Sequence, residues 1–203
     1  MNRIIKKKTS MLIVCVLLLS LVFTGCGQKT ETPEQAVTNA LNAIKKLDID
    51  TMRKYFNDDG LYGSDSGTDE LLEDEEGMKL LFSKMSFKII SSSEKGDTAT
   101  VKTEITNIDM ASVMVEYFDQ AFSMVFSNAL AGDGAKSDEE MEALTEQLFI
   151  DLIKREDNQM KTTTVDIKLT KNKNSWKIES NDELQDAIFG GMISSMEEML
   201  GEQ

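Results

Sequence analysis

The stretch Thr98-Ala99-Thr100-Val101-Lys102-Thr103-Glu104-Ile105 alternates along its length. Ala99, Val101 and Ile105 fall on one face, and Thr100, Lys102 and Glu104 on the other. A period of two is that of a strand with one buried and one wet face. Upstream, Phe87-Lys88-Ile89-Ile90 begins another strand, and Glu94-Lys95-Gly96-Asp97 carries the residue types of a turn between the two. Downstream the pattern returns. Thr164 to Thr170 places Val165, Ile167 and Leu169 inward, Lys171-Asn172-Lys173-Asn174 turns the chain, and Trp176 and Ile178 face the core on a last strand.

Between the two strand pairs the period changes to that of a helix. Asp109 is expected to cap a helix bearing Met110, Val113, Met114, Tyr117, Phe118, Ala121, Phe122, Val125, Phe126 and Ala129, a single unbroken stripe at i, i+3, i+4 spacing. Gly132-Asp133-Gly134 ends it. Ser137 and Glu140 form a capping box for a partner helix marked by Met141, Leu144, Leu148, Leu152 and Ile153. Two helices with a short Gly-rich link read as an antiparallel hairpin.

Helices flank this core on both sides. Thr32, Pro33 and Gln35 are a capping box with proline at the first helical position, followed by Val37, Ala40, Leu41, Ile44 and Leu47. Asp50 is expected to cap a second short helix with Met52, Tyr55 and Phe56 inward. Residues 57–68 read as a polar loop. Asp69 to Met85 reads as a helix that Gly77 weakens by about 1 kcal/mol relative to Ala. After the last strand, Asp182 is expected to cap one final helix carrying Leu184, Ala187, Ile188, Met192, Met196 and Met199. The fold class is therefore α+β: a curved four-stranded antiparallel sheet wrapped by helices, with a helical hairpin between the two strand pairs and a C-terminal helix.

The amino terminus is of another kind. Arg3, Lys6, Lys7 and Lys8 precede an apolar run from Met11 to Phe23 broken only by Ser20. A basic start, an apolar core of about 7–15 residues and small residues at the end define a secretory signal, too short to span a membrane. The run ends Thr24-Gly25-Cys26, which resembles the lipobox of bacterial lipoproteins, with Phe23 in place of the usual Leu. That resemblance implies diacylglycerol on Cys26 and cleavage before it. Two acyl chains anchor stably where one holds only reversibly. The expected organisation is a signal peptide at 1–25, a lipidated tether at 26–32 and a single domain at 33–203. The expected location is the outer face of the cell membrane, with the membrane as the partner of the lipid.

A leading Thr-Pro-Glu-Gln-Ala helix, a second ending near Tyr55-Phe56, and a sheet closing on Asn174-Ser175-Trp176-Lys177-Ile178 resemble the cystatin-like α+β roll superfamily that includes ketosteroid isomerase. More closely, over residues 26–200, the chain resembles Firmicutes-type lipoprotein domain families that share the lipobox, the helical hairpin and the Trp-Lys-Ile strand. The resemblance implies no activity and carries over no functional residue except Cys26. The helical hairpin departs from the simplest rolls.

Composition narrows the chemistry. The chain has 22 basic and 36 acidic residues; residues 1–25 hold four of the basic ones and no acid, leaving 18 against 36, a net charge of −18. Such a surface repels nucleic acid and anionic lipid. There is no His, and the two cysteines are Cys15, in the signal, and Cys26. This removes Ser-His-Asp and Cys-His units and disfavours Zn and Cu sites. Gly63-Ser64-Asp65-Ser66-Gly67 centres on Asp and is no nucleophile elbow. The acidic run from Asp65 to Glu76 fails the calcium-loop pattern at Gly67 and Glu70. No cofactor, metal or catalytic residue is expected. Eleven methionines lie beyond the signal, Met52 to Met199; they read mainly as core, with the last helix, widened by Phe189, Ile193 and Leu200, able to present a partner face. The expected function is a binding module, for a small ligand in the roll or for a protein. The alternatives are an enzyme using carboxylates or tyrosine in a roll cavity, or a purely structural surface component.

Overall fold

The computed structural model describes residues 30–56 and 75–201. The signal sequence, Cys26, the polar loop at 57–68, the expected helix start at Asp69 and nearly all of the acidic 65–76 run lie outside the described residues.

Helix α1 (Pro33–Lys46) starts at the anticipated box: Gln35 N donates to Thr32 Oγ1, and Thr32 N donates to Gln35 Oε1. Its stripe of Val37, Ala40, Leu41 and Ile44 is fully buried. Leu47 ends it in the left-handed region at φ 51°. Helix α2 (Ile49–Tyr55) is capped by Asp48, whose carboxylate accepts from Thr51 N, and not by Asp50. The left-handed turn at Leu47 places the capping oxygen two residues earlier than expected. Met52 and Phe56 are buried, and Tyr55 packs at the edge of the core. Lys177 Nζ caps the far end, donating to Arg53 O and Phe56 O. Helix α3 (Glu75–Lys84) runs through Gly77 without a break.

The sheet contains β1 (Ser86–Lys95), β2 (Thr98–Ile108), β3 (Met160–Asn172) and β4 (Ser175–Ile178) in spatial order β1-β2-β3-β4, all antiparallel. The alternation read from the sequence sets the faces. Ala99, Val101, Ile105, Val165, Ile167, Leu169, Trp176 and Ile178 are all buried. Thr103, also on the inner face, is fully buried and donates its hydroxyl to Val101 O. A register shift between Ile89 and Ser91 leaves Ile90 and Ser91 both exposed on edge strand β1 and brings Ser92 opposite Val101; bulges of this kind blunt an edge against pairing with other chains. Helix α1 packs on β1, β2 and β4, and α6 (Asp182–Ile188) packs on β2 and β3.

Helices α4 (Met110–Leu130) and α5 (Asp138–Lys154) form the hairpin between β2 and β3, joined through a single turn of 3-10 helix at Gly132–Gly134. The α+β reading thus stands, with two differences after β4. The first turn of α6 is capped by Asn181 accepting from Leu184 N, one residue before the expected Asp182. The final helix is also two helices, α6 and α7 (Met192–Leu200), parted at Gly190 (φ 62°) and Gly191 (φ 83°). The break has a tertiary cause. Met110 N donates to Gly190 O, and a Cβ on Gly190 would lie 1.9 Å from Ile108 O, so backbone passes backbone where only glycine fits. Buried Asn107 completes the corner, donating to Ile188 O at 2.7 Å while its own Oδ1 accepts from Ile108 N.

Candidate functional site

Helix α4 is apolar on two sides. One register, Met110, Met114, Tyr117, Ala121, Met124 and Asn128, steps 4-3-4-3-4 and faces inward: its first two members are buried and the rest half-buried. A second register lies one residue, or about 100°, further round. It runs Ala111, Val115, Phe118, Phe122, Val125, Ala129 with the same 4-3-4-3-4 steps. This outer register faces solvent. Val115 is 61% exposed, Phe118 45%, Phe122 72% and Val125 53%, with Phe126 and Leu130 flanking it at 55% and 72%. The single stripe expected from the sequence is therefore two stripes, and only one is covered. The sequence carries the signal, because apolar residues occupy more of α4's circumference than one contact needs, but i, i+3, i+4 spacing alone does not separate two interleaved registers.

The exposed face is held firmly at its root. Arg155, just beyond α5, forks onto Glu116 of α4 with contacts of 2.6, 3.0 and 3.1 Å, and Gln120 donates to the same carboxylate. Tyr117 sits edge-on to Phe149 of α5 and to Phe118. Phe122 and Phe126 stack, their ring centres 6.1 Å apart. At the tip, Asn128 exchanges two hydrogen bonds with the backbone of Lys136, and Ser137 and Glu140 form the expected capping box. Bonding to the Ser137 backbone N–H, then to its hydroxyl, holds the Glu140 carboxyl below its usual pKa. The tip carries Asp133, Asp138, Glu139 and Glu140 against Lys136, whereas α4 itself has two acids, Glu116 and Asp119, and no basic residue.

At the root of the hairpin, on the inner side, lies an apolar pocket of about 210 Å³. Met78 and Leu81 of α3, Met110, Met114 and Tyr117 of α4, Phe149 and Ile153 of α5 and Met192 of α7 line it, with Glu146 the one charged residue. This is not the roll cavity that the sequence suggested. It is lined by helices, with no strand residue among its walls, whereas the inner-face residues of the sheet named above are buried.

Tyrosine and carboxylate do meet, at the start of the domain. Tyr55 Oη donates to Glu31 Oε1 at 2.7 Å, and Asn39 Nδ2 donates to both. Burial, and then the bond to Glu31, raise the phenol above its ordinary pKa, so it keeps its proton. None of the three lines the pocket. With Trp176 Nε1 donating to Glu31 O at 2.9 Å, they fasten the segment around Glu31 onto α1, α2 and β4. Met52, Met78, Met85, Met110, Met114 and Met192 are core, as expected, while Met160 is half exposed. Phe189 is buried and Ile193 packs on the core, so this part of the terminal helices does not form the free face. Among the described residues no cluster of three or more acids, histidines or cysteines could hold a metal ion, and no helix is long and apolar enough to cross a membrane. No protein-family model, curated protein or solved structure matches the chain.

Proposed function

We propose that this chain is an exported, lipid-anchored binding module that takes a protein partner on the outer face of α4. The observation that carries the reading is the apolar register itself. Taken with areas of about 150–200 Å² for such side chains, the exposed fractions leave roughly 600 Å² of contiguous apolar surface in water, the upper end of what a monomer shows. A helix that is apolar on two sides is normally covered on both. The anchoring half of the reading rests on Arg3 to Lys8, the Met11–Phe23 run and Thr24-Gly25-Cys26. A non-catalytic role is favoured because the Tyr55–Glu31 pair is committed to fastening the chain. A photo-crosslinking phenylalanine analogue at Phe122, in living cells, should give protein adducts that the same analogue at Glu142, on α5, does not. Absence of any protein adduct at position 122 overturns the reading.

The pocket at the hairpin root favours a second reading, a small apolar ligand held among methionines. Its volume is below the roughly 300–1,000 Å³ of most drug-sized sites, which restricts the ligand to a short alkyl or single-ring compound.

A further inference from the structure

We infer that the occupant of the outer register is a second copy of this chain, packed antiparallel about a twofold axis so that two helical hairpins close into a four-helix bundle; this rests on the docking reading above. The 4-3-4-3-4 spacing is that of a seam that packs against another helix. The side chains in that seam are Ala111, Val115, Phe118, Phe122, Val125 and Ala129, a series that reads the same in both directions. Its bulk is greatest at the middle and falls off equally to each end. A twofold axis near residue 120 therefore sets Phe118 against Phe122 of the second copy, Val115 against Val125, and Ala111 against Ala129. A heterologous partner places no such demand for mirror symmetry on the sequence, whereas an isologous one does.

Charge selects the orientation. Parallel packing would bring the two acidic tips, Asp133 to Glu140, side by side. Antiparallel packing sets them apart by about the length of α4, roughly 30 Å, well beyond the screening distance of about 8 Å at physiological salt. The seam itself contains no charged residue, so pairing leaves no ion unpaired within it. The seam side chains expose roughly 400 Å² in each copy, and Phe126 and Leu130 beside them bring this to roughly 600 Å², so the pairing reaches about 1,200 Å², the lower bound of a specific protein–protein interface, when those flanks are covered as well. A lipid surface is a poorer occupant, since the acidic tip meets the negative surface potential of anionic lipid.

The test is thiol cross-linking of the full chain in its own cells, with a short bis-maleimide and the unsubstituted chain as background. Phe118→Cys and Phe122→Cys should each give an adduct of twice the chain's mass. Ala111→Cys and Ala129→Cys should not do so alone, yet should give it when the two variants are co-expressed. These four positions are half-buried or exposed, and folding is checked by expression and protease resistance. Phe126→Asp, which places a charge beside the seam, should reduce the Phe118→Cys adduct at least fivefold. Equal adducts at all four positions would overturn the antiparallel arrangement. Adducts only of another mass would overturn self-pairing while leaving the docking reading intact. No adduct of any mass, together with no photo-adduct at position 122, would overturn both.

Discussion

Gly190→Ala isolates the contact that divides the C-terminal helices. Two costs are expected. The first is conformational: a residue with a Cβ held at φ 62° loses about 1–2 kcal/mol relative to glycine. The second is steric, because the new Cβ would stand 1.9 Å from Ile108 O, and real Cβ atoms essentially never approach closer than 3.0 Å. Both sides of that contact are backbone, so relief requires the α6–α7 corner to move away from the end of β2. That movement strains the Met110 N to Gly190 O bond and the 2.7 Å bond from Asn107 to Ile188 O. Buried polar groups left unpaired cost about 1–3 kcal/mol, and overpacking costs a similar amount. The expected loss is about 3–5 kcal/mol, a large share of the 5–15 kcal/mol typical of a domain. Gly96→Ala supplies the control. Gly96 sits at φ 63°, with nothing within 4 Å of its would-be Cβ, so it bears the conformational cost alone. Urea unfolding followed by circular dichroism should separate the two variants by at least about 2 kcal/mol. If Gly190→Ala falls within about 0.5 kcal/mol of Gly96→Ala, the corner is not the rigid contact argued for.

Trp176 is 1% exposed, with its indole N–H bonded to Glu31 O and Lys171 Nζ 5.3 Å above its ring. Trp176→Ala should cost about 3–5 kcal/mol, and the unsubstituted chain should show blue-shifted emission that acrylamide quenches poorly; red-shifted, readily quenched emission from folded protein contradicts the core assignment. Cys26→Ser should abolish incorporation of labelled fatty acid, and retained label would refute the anchor. Tyr55 has its pKa raised in the folded state, so its contribution to stability is complete below the ordinary value of 10.0 and is lost as pH rises through the raised value. Stability measured from pH 8 to pH 11 should therefore fall more steeply for the natural chain than for Tyr55→Phe, and equal slopes would remove the Tyr55–Glu31 bond from the account.

Local patterns carried most of the fold. The sheet was legible because Ala99, Val101, Ile105, Val165, Ile167 and Leu169 obey a period that nothing else produces. Both capping boxes were legible because they are closed within four residues. The features missed are those decided by partners distant in sequence. Gly190 and Gly191 break a helix because β2 passes beside them, and a glycine pair within an otherwise helical pattern does not announce that. Asn107 sits in a strand pattern as an ordinary polar residue, and its burial depends on Ile188, 81 residues away. At the caps, Asp48 and Asp50, and Asn181 and Asp182, offer the same chemistry one or two residues apart, and the choice falls to the backbone entering each helix. The exposed face of α4 was hidden for the opposite reason. Its residues are as apolar as those of a core, and sequence alone does not say which of two apolar stripes a small domain can cover.

The chain leaves the sheet at Ile108 and re-enters it at Met160, and those two residues are register partners, with Asp109 N donating to Gln159 O beside them. The excursion of residues 109–159 thus begins and ends at one place, and its helices pack on each other, on α3 and on α7. Its length is consequently an adjustable quantity. Seven residues added to or removed from each of α4 and α5 would change the hairpin's reach by about 10 Å while turning neither apolar register by more than about 20°. Shortening by that unit should leave the sheet's stability unaltered, so that the projecting arm can vary in length while the body that carries it stays the same.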